Sequence, residues 1–97
     1  IDINQSTHCD ALMARTPGKL TFPINQDLLT SVETVNEQQI KDAMRFAFKE
    51  FDLVVEPGGA AALAFALNHH FPIKNANILI LLSGGNIDPG RFDELIK

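Results

Sequence analysis

The sequence predicts an α/β layer fold with a mostly parallel sheet, and three observations carry that expectation. Short apolar runs alternate with helical stretches, the pattern of strands and helices stacked in layers. Residues 78–82, Ile78-Leu79-Ile80-Leu81-Leu82, form a continuous apolar run, as expected of a parallel strand covered on both faces. Residues 60–67 are apolar on every side, as in a helix buried all round.

Each element has its own local justification. Residues 11–14 are a short apolar run that Pro17-Gly18 ends as a turn. Phe22, Ile24, Leu28 and Leu29 suggest a short helix or irregular segment, with Pro23 in the first turn where a missing N–H costs nothing. Asn36 is the clearest helix start: Gln39 completes a capping box, and Val35 can pack on Ile40 as a hydrophobic staple. Ile40, Ala43, Met44, Ala47 and Phe51 then share one face, and Phe46 and Phe48 widen it, so this helix should be covered on more than one side. Leu53-Val54-Val55 is a brief β-prone run halted by Glu56-Pro57-Gly58-Gly59. The alanine-rich helix of residues 60–67 is slim enough to approach a sheet closely, and His69, His70 and Pro72 end it. Ser83-Gly84-Gly85-Asn86 is the turn after the second strand. Asp88 and Pro89 make the N-cap and first position of a last helix, ending at Ile96 or Lys97.

Composition narrows the class. The 97 residues suit one domain at most, with a thin core. Eight Lys+Arg against 12 Asp+Glu, a net charge of −4, argue against a nucleic-acid surface. Cys9, the single cysteine, can form no internal disulfide and points to a reducing cytoplasm. No apolar run reaches the roughly 18 residues of a membrane span, and the polar residues 1–10 do not resemble a signal peptide. With no initiator methionine, the chain is not expected to begin where its gene does. A fully buried helix and a two-sided strand need more cover than this chain can supply. The expectation is therefore a piece of a larger domain, or an obligate oligomer.

Two segments could carry chemistry. Ser83-Gly84-Gly85-Asn86 lies at the carboxyl end of a buried strand, where open α/β sheets bind ligands; alternatively its glycines only satisfy turn geometry. Glu56 precedes the N-terminus of the buried helix, where it could face a ligand or simply cap the helix. Neither glycine pair has the spacing of a dinucleotide or nucleoside triphosphate loop. His69 and His70 are adjacent, so on a helix they diverge by about 100° and make no metal pair; no metal site is expected. His8, Cys9 and Asp10 are consecutive and cannot face one point, so a strand entry is expected there rather than a Cys/His catalytic pair. No lysine has the apolar setting that Schiff-base chemistry needs.

Three blocks occur in fixed order: Gly18-Lys19-Leu20-Thr21-Phe22-Pro23-Ile24, then Val54-Val55-Glu56-Pro57-Gly58-Gly59-Ala60-Ala61-Ala62-Leu63-Ala64, then Leu82-Ser83-Gly84-Gly85-Asn86-Ile87-Asp88. In these the chain resembles the C-terminal part of the catalytic domain of the serine/threonine dehydratase family, from about Cys9 to its end. That family holds threonine ammonia-lyases, serine racemases and hydroxyaspartate dehydratases. The resemblance implies a pyridoxal 5'-phosphate cofactor and a three-layer α/β/α domain of fold type II, shared with the tryptophan synthase β-subunit. Residues 1–97 would be an incomplete, C-terminal portion of it.

The resemblance also implies roles. Ser83 matches the serine whose hydroxyl bonds the cofactor's pyridine nitrogen. A neutral hydroxyl does not hold that nitrogen protonated, which moderates the electron sink and favours β-elimination over transamination. Gly84 matches a position where the backbone passes close to the ring, Glu56 a glutamate in a supporting polar role, and Ala11 a cofactor-side position where many members have glycine. The family's Schiff-base lysine, in its Ser-x-Lys-x-Arg context, its glycine-rich phosphate loop and its cation-binding acids have no match here. In the family they lie upstream of the matched stretch, so this portion alone should be catalytically silent. The complete protein would be a cytoplasmic homo-oligomer that releases ammonia and a 2-oxo acid from a hydroxy amino acid, binding neither membrane nor nucleic acid. A serine racemase of the same family, and a free-standing amino-acid-binding α/β module, are the alternatives.

Overall fold

A computed structural model describes residues 6–69 and 74–97. Among these residues it contains α1 (Thr21–Leu28), α2 (Glu37–Phe51), α3 (Ala61–Asn68) and α4 (Pro89–Ile96), with 3-10 turns at Asp10–Leu12 and Gly58–Ala60.

Helix α2 organises the core, and its start follows the expected capping box. Asn36 Oδ1 accepts the Gln39 N–H at 2.9 Å, while Gln39 Oε1 accepts the Asn36 N–H at 2.8 Å. At the far end Asp52 turns left-handed, with φ 56°. Its N–H donates to Phe48 O at 3.0 Å and that of Leu53 to Ala47 O at 3.2 Å, so the last carbonyls are satisfied. Ile40, Ala43, Met44 and Ala47 are buried as their spacing predicts. Phe51, on the same stripe, is instead exposed and sets its ring edge-on to Phe46 at 5.8 Å.

Helices α3 and α4 complete the core. Ala43 and Ala47 of α2, with Ala60 and Ala64, are wholly buried, and such small side chains let α2 and α3 approach closely. From α4, which begins with Asp88 Oδ1 accepting the Arg91 N–H at 3.0 Å, Phe92 and Leu95 are buried. Phe92 meets Phe48 edge-on at 5.4 Å. Arg45 of α2 donates to the carbonyls of Ile96 and Lys97 at 2.7 and 2.5 Å, a cation on the C-terminal end of α4. Pro23 stands in the first turn of α1, as expected, but no residue of α1 is buried.

The expected sheet does not form among the described residues. Neither 53–55 nor 78–82 has a strand ladder. The Glu56 N–H donates to Gly84 O at 2.8 Å, so the ends of the two runs do lie side by side. One such bond is not a ladder. A parallel strand needs repeated pairing with neighbours of similar length, and the four helices provide none. Residues 78–82 are accordingly covered on one side at most: Ile80 and Leu82 pack half-buried against the core, while Ile78, Leu79 and Leu81 are exposed, Leu79 to 89%. Nor is the alanine-rich helix buried all round: Ala62 and Leu67 of α3 are exposed, while Phe65 and Ala66 are half-buried. Helix α3 ends at Asn68 with His69 as its cap; His70 and Pro72 lie outside the described residues.

The result is a slab of 40 × 38 × 19 Å with a radius of gyration of 14.6 Å, against about 13 Å for a compact chain of this length. Its accessible surface is 7810 Å², where a compact monomer of 10.7 kDa would expose about 5500 Å². Much of the apolar surface faces outward.

Candidate functional site

Glu56 ends the extended run after α2 and opens the 3-10 turn that leads into α3. Its backbone carbonyl, not its carboxylate, accepts the Ala60 N–H at 3.1 Å, so side-chain capping is not its task. Its backbone N–H binds Gly84 O, and its side chain lies along Gly84, where an added Cβ would stand 2.6 Å from Glu56 Oε1. At Gly85 a Cβ would stand 2.6 Å from Val54 O. None of the described glycines has a positive φ. The Gly84-Gly85 pair is therefore needed for close approach of two segments rather than for turn geometry.

Ala11 arrives from the other end of the chain. It lies in the 3-10 turn Asp10–Leu12, its Cβ 3.7 Å from where a Cβ on Gly58 would be. Asp10, Ala11, Glu56, Pro57, Gly58, Asn86, Ile87, Asp88 and Arg91 line a cleft of about 110 Å³. Ala11 and Glu56 thus share one cleft, and Gly84 touches Glu56 from behind it. Ser83 is outside the lining: it is exposed, and its hydroxyl has no partner among the described residues.

Sequence reasoning missed the groups that hold this cleft in shape. Arg91 Nη1 pairs with Asp10 Oδ2 at 3.3 Å and its Nη2 donates to His8 O at 3.2 Å. Glu37 accepts the Thr7 hydroxyl on Oε1 and the His8 N–H on Oε2 at 3.2 Å. The Thr7 hydroxyl and the His8 N–H hold the Glu37 carboxyl below its usual pKa. Both partnerships join residues distant in sequence, 29 and 30 positions apart for Glu37 and 81 and 83 for Arg91, so no local pattern announces them. Residues 8–10 form the entry to a 3-10 turn and not to a strand. Burial, reinforced by the charge of Glu37, pushes the Cys9 thiol up, which does not suit a nucleophile. His69 stacks on Phe65 at 3.8 Å, and among the described residues no three His, Cys, Asp or Glu side chains group as metal ligands. No helix among them is long and apolar enough to cross a membrane.

Comparison with known proteins bears on this geometry. The family model described as "Pyridoxal-phosphate dependent enzyme" matches residues 2–84. The chain is 34% identical over 91 residues to an L-threonine ammonia-lyase of Thermotoga maritima, covering 94% of this chain and 22% of that protein. It is 39% identical over 97 residues to a serine racemase of Arabidopsis thaliana, covering 95% and 29%. To an L-threo-3-hydroxyaspartate ammonia-lyase of Pseudomonas it is 29% identical over 92 residues, covering 95% and 29%. The chain thus spans between 22% and 29% of the length of these curated relatives. No solved structure matches it. The matched stretch includes Ala11, Glu56, Ser83 and Gly84, and the chain belongs to the pyridoxal-phosphate-dependent enzyme family.

Proposed function

We propose that residues 1–97 are the C-terminal portion of the catalytic domain of a hydroxy-amino-acid ammonia-lyase of the threonine/serine dehydratase type. The observation that carries this is the meeting of Glu56 with Gly84, which joins two of the three sequence blocks beside the cleft lined by Ala11. Threonine and hydroxyaspartate ammonia-lyases among the relatives support the same reaction class.

The residues present fit the ring edge of pyridoxal phosphate. Ser83 offers a neutral, exposed hydroxyl without a partner among the described residues, and the backbone beside it is anchored by Glu56. When bound, the cofactor supplies the electron sink for loss of the α-proton and β-hydroxyl. Ser83 would hold the pyridine nitrogen without protonating it, Gly84 would admit the ring, and Glu56 and Ala11 would border it. Arg91, the cation at the cleft, is already paired with Asp10. Phosphate binding and the Schiff-base lysine therefore belong to the rest of the domain.

The same remainder would pair with residues 53–55 and 78–82 and complete a three-layer α/β/α domain with a mostly parallel sheet, of fold type II. The outward apolar surface supports this over a free-standing amino-acid-binding module. The complete protein is proposed to be a cytoplasmic homo-oligomer, a compartment that suits its buried, unpaired Cys9.

The test is to express the complete protein, scan its absorbance for bound cofactor, and assay 2-oxo acid release from L-serine, L-threonine and 3-hydroxyaspartate. Uptake of cofactor and deamination of at least one substrate are expected; a complete protein that never takes up cofactor overturns the proposal. Ser83→Ala should weaken cofactor binding roughly fivefold, the equivalent of one hydrogen bond. A serine racemase in place of a lyase is the second reading, favoured by the identity to serine racemases, and chiral analysis of the serine left in the same assay reads it.

A further inference from the structure

We infer that Glu37 is a positioning residue that holds the Asp10–Leu12 turn as one wall of the cleft; this rests on the cofactor-side role proposed for that cleft. Glu37 is the first residue of α2, yet its carboxylate is turned to the N-terminal segment, with partners 30 and 29 positions away. Both oxygens are engaged: Oε1 accepts the Thr7 hydroxyl and Oε2 the His8 N–H. Thr7 Oγ1 in turn accepts the Cys9 N–H at 3.1 Å, and the Cys9 side chain is packed in the core. His8 is thus gripped through its N–H by Glu37 and through its carbonyl by Arg91 of α4. The turn follows at once, closed by the Leu12 N–H on Cys9 O at 2.9 Å, and Leu12 and Ala11 rest 3.4 and 3.7 Å from the Cβ position of Gly58. If the Thr7–Cys9 strap is released, the wall that carries Ala11 loses its fixed distance from Glu56 and Gly58.

The two grips are not equal. The Arg91–Asp10 pair is exposed on both sides, where such pairs contribute little. Glu37 is partly buried and charged, and its paired acceptors cannot be replaced by an amide, which has one acceptor oxygen. Glu37→Gln and Thr7→Val should each break the clasp, whereas Thr7→Ser keeps the hydroxyl.

The experiment uses the complete protein. Pyridoxal phosphate is titrated into the apo forms of wild type, E37Q, T7V and T7S by absorbance, and amide hydrogen exchange is followed on the same apo proteins. E37Q and T7V should raise the cofactor Kd roughly fivefold and speed exchange of the His8 and Cys9 amides, with T7S within about twofold of wild type. Unchanged Kd values in E37Q and T7V, whatever their exchange, overturn the positioning role. Equal weakening in T7S overturns it too, because the hydroxyl would then not be what matters. Wild type that takes up no cofactor overturns the proposed function itself, and is read before any variant is made.

Discussion

The inner face of α2 and the outer face of α3 are both apolar, yet only one of them is closed. Ile40, Ala43, Met44 and Ala47 find Ala60, Leu63, Ala64, Phe92 and Leu95 and are buried. On the outer side of α3, Phe65, Ala66 and Leu67 lie along Ile78 and Ile80 and leave open grooves that reach Phe46 and Phe51. Apolar pattern states a demand for cover; only partners within reach meet it. Here α2 is satisfied by elements of the same 97 residues, and α3 with residues 78–82 is left half-satisfied.

Substitutions can sharpen or break this contrast. The largest effect is expected from Met44→Ala, which hollows a fully buried site and should cost about 2–5 kcal/mol, enough to abolish cooperative urea unfolding of so thin a core. Leu79→Ala on the open face should cost less than about 0.5 kcal/mol in the 97-residue chain, and several times more in the complete protein if residues 78–82 are covered there. Equal costs in the two settings would break the contrast.

Next in size are the glycines at the junction. At Gly85 an added methyl meets the fixed carbonyl of Val54, whereas at Gly84 it meets the side chain of Glu56, which can swing away. Gly85→Ala should therefore destabilise by about 1–3 kcal/mol and Gly84→Ala by less, as read from denaturant midpoints. Asn36→Ala removes the cap of α2 and should cost about 1 kcal/mol, visible as a lowered Tm.

The smallest effect is a pH dependence. Glu37 has a folded pKa below its ordinary value of 4.5, so its clasp contributes stability that is fully present above 4.5 and lost as pH falls through the lower folded value. The difference in urea midpoint between wild type and Glu37→Gln should be present at pH 6 and shrink progressively below pH 4.5. A difference that stays constant into acid would show that the Glu37 charge is not what holds Thr7 and His8.

Local elements were legible wherever the chain carries its own chemistry. The Asn36–Gln39 capping box, the Asp88-Pro89 start of α4 and four of the five residues of the α2 stripe, all but Phe51, each depend on neighbours within one or two turns. The helical character of residues 60–67 was legible too, though not how much of it is covered. In the candidate site, Glu56 and Gly84 were identified through their blocks and Ala11 through the family resemblance, but their meeting was not, because the contacts join residues far apart in the sequence. The Glu37 and Arg91 grips on His8 were invisible for the same reason. A carboxylate at the start of a helix reads as a dipole partner, and nothing near Glu37 announces Thr7.

By itself the sequence determined helix starts, the buried stripe of α2, the family and the residues to watch, because these follow from short-range hydrogen bonding, side-chain spacing and ordered motifs. The tertiary structure alone decided that Gly84 and Gly85 serve close approach rather than turn geometry, that Glu37 clasps Thr7 and His8, and that residues 78–82 are covered only in part. Those outcomes depend on which distant surfaces come into reach, and a strand without paired neighbours on either side has no ladder to join.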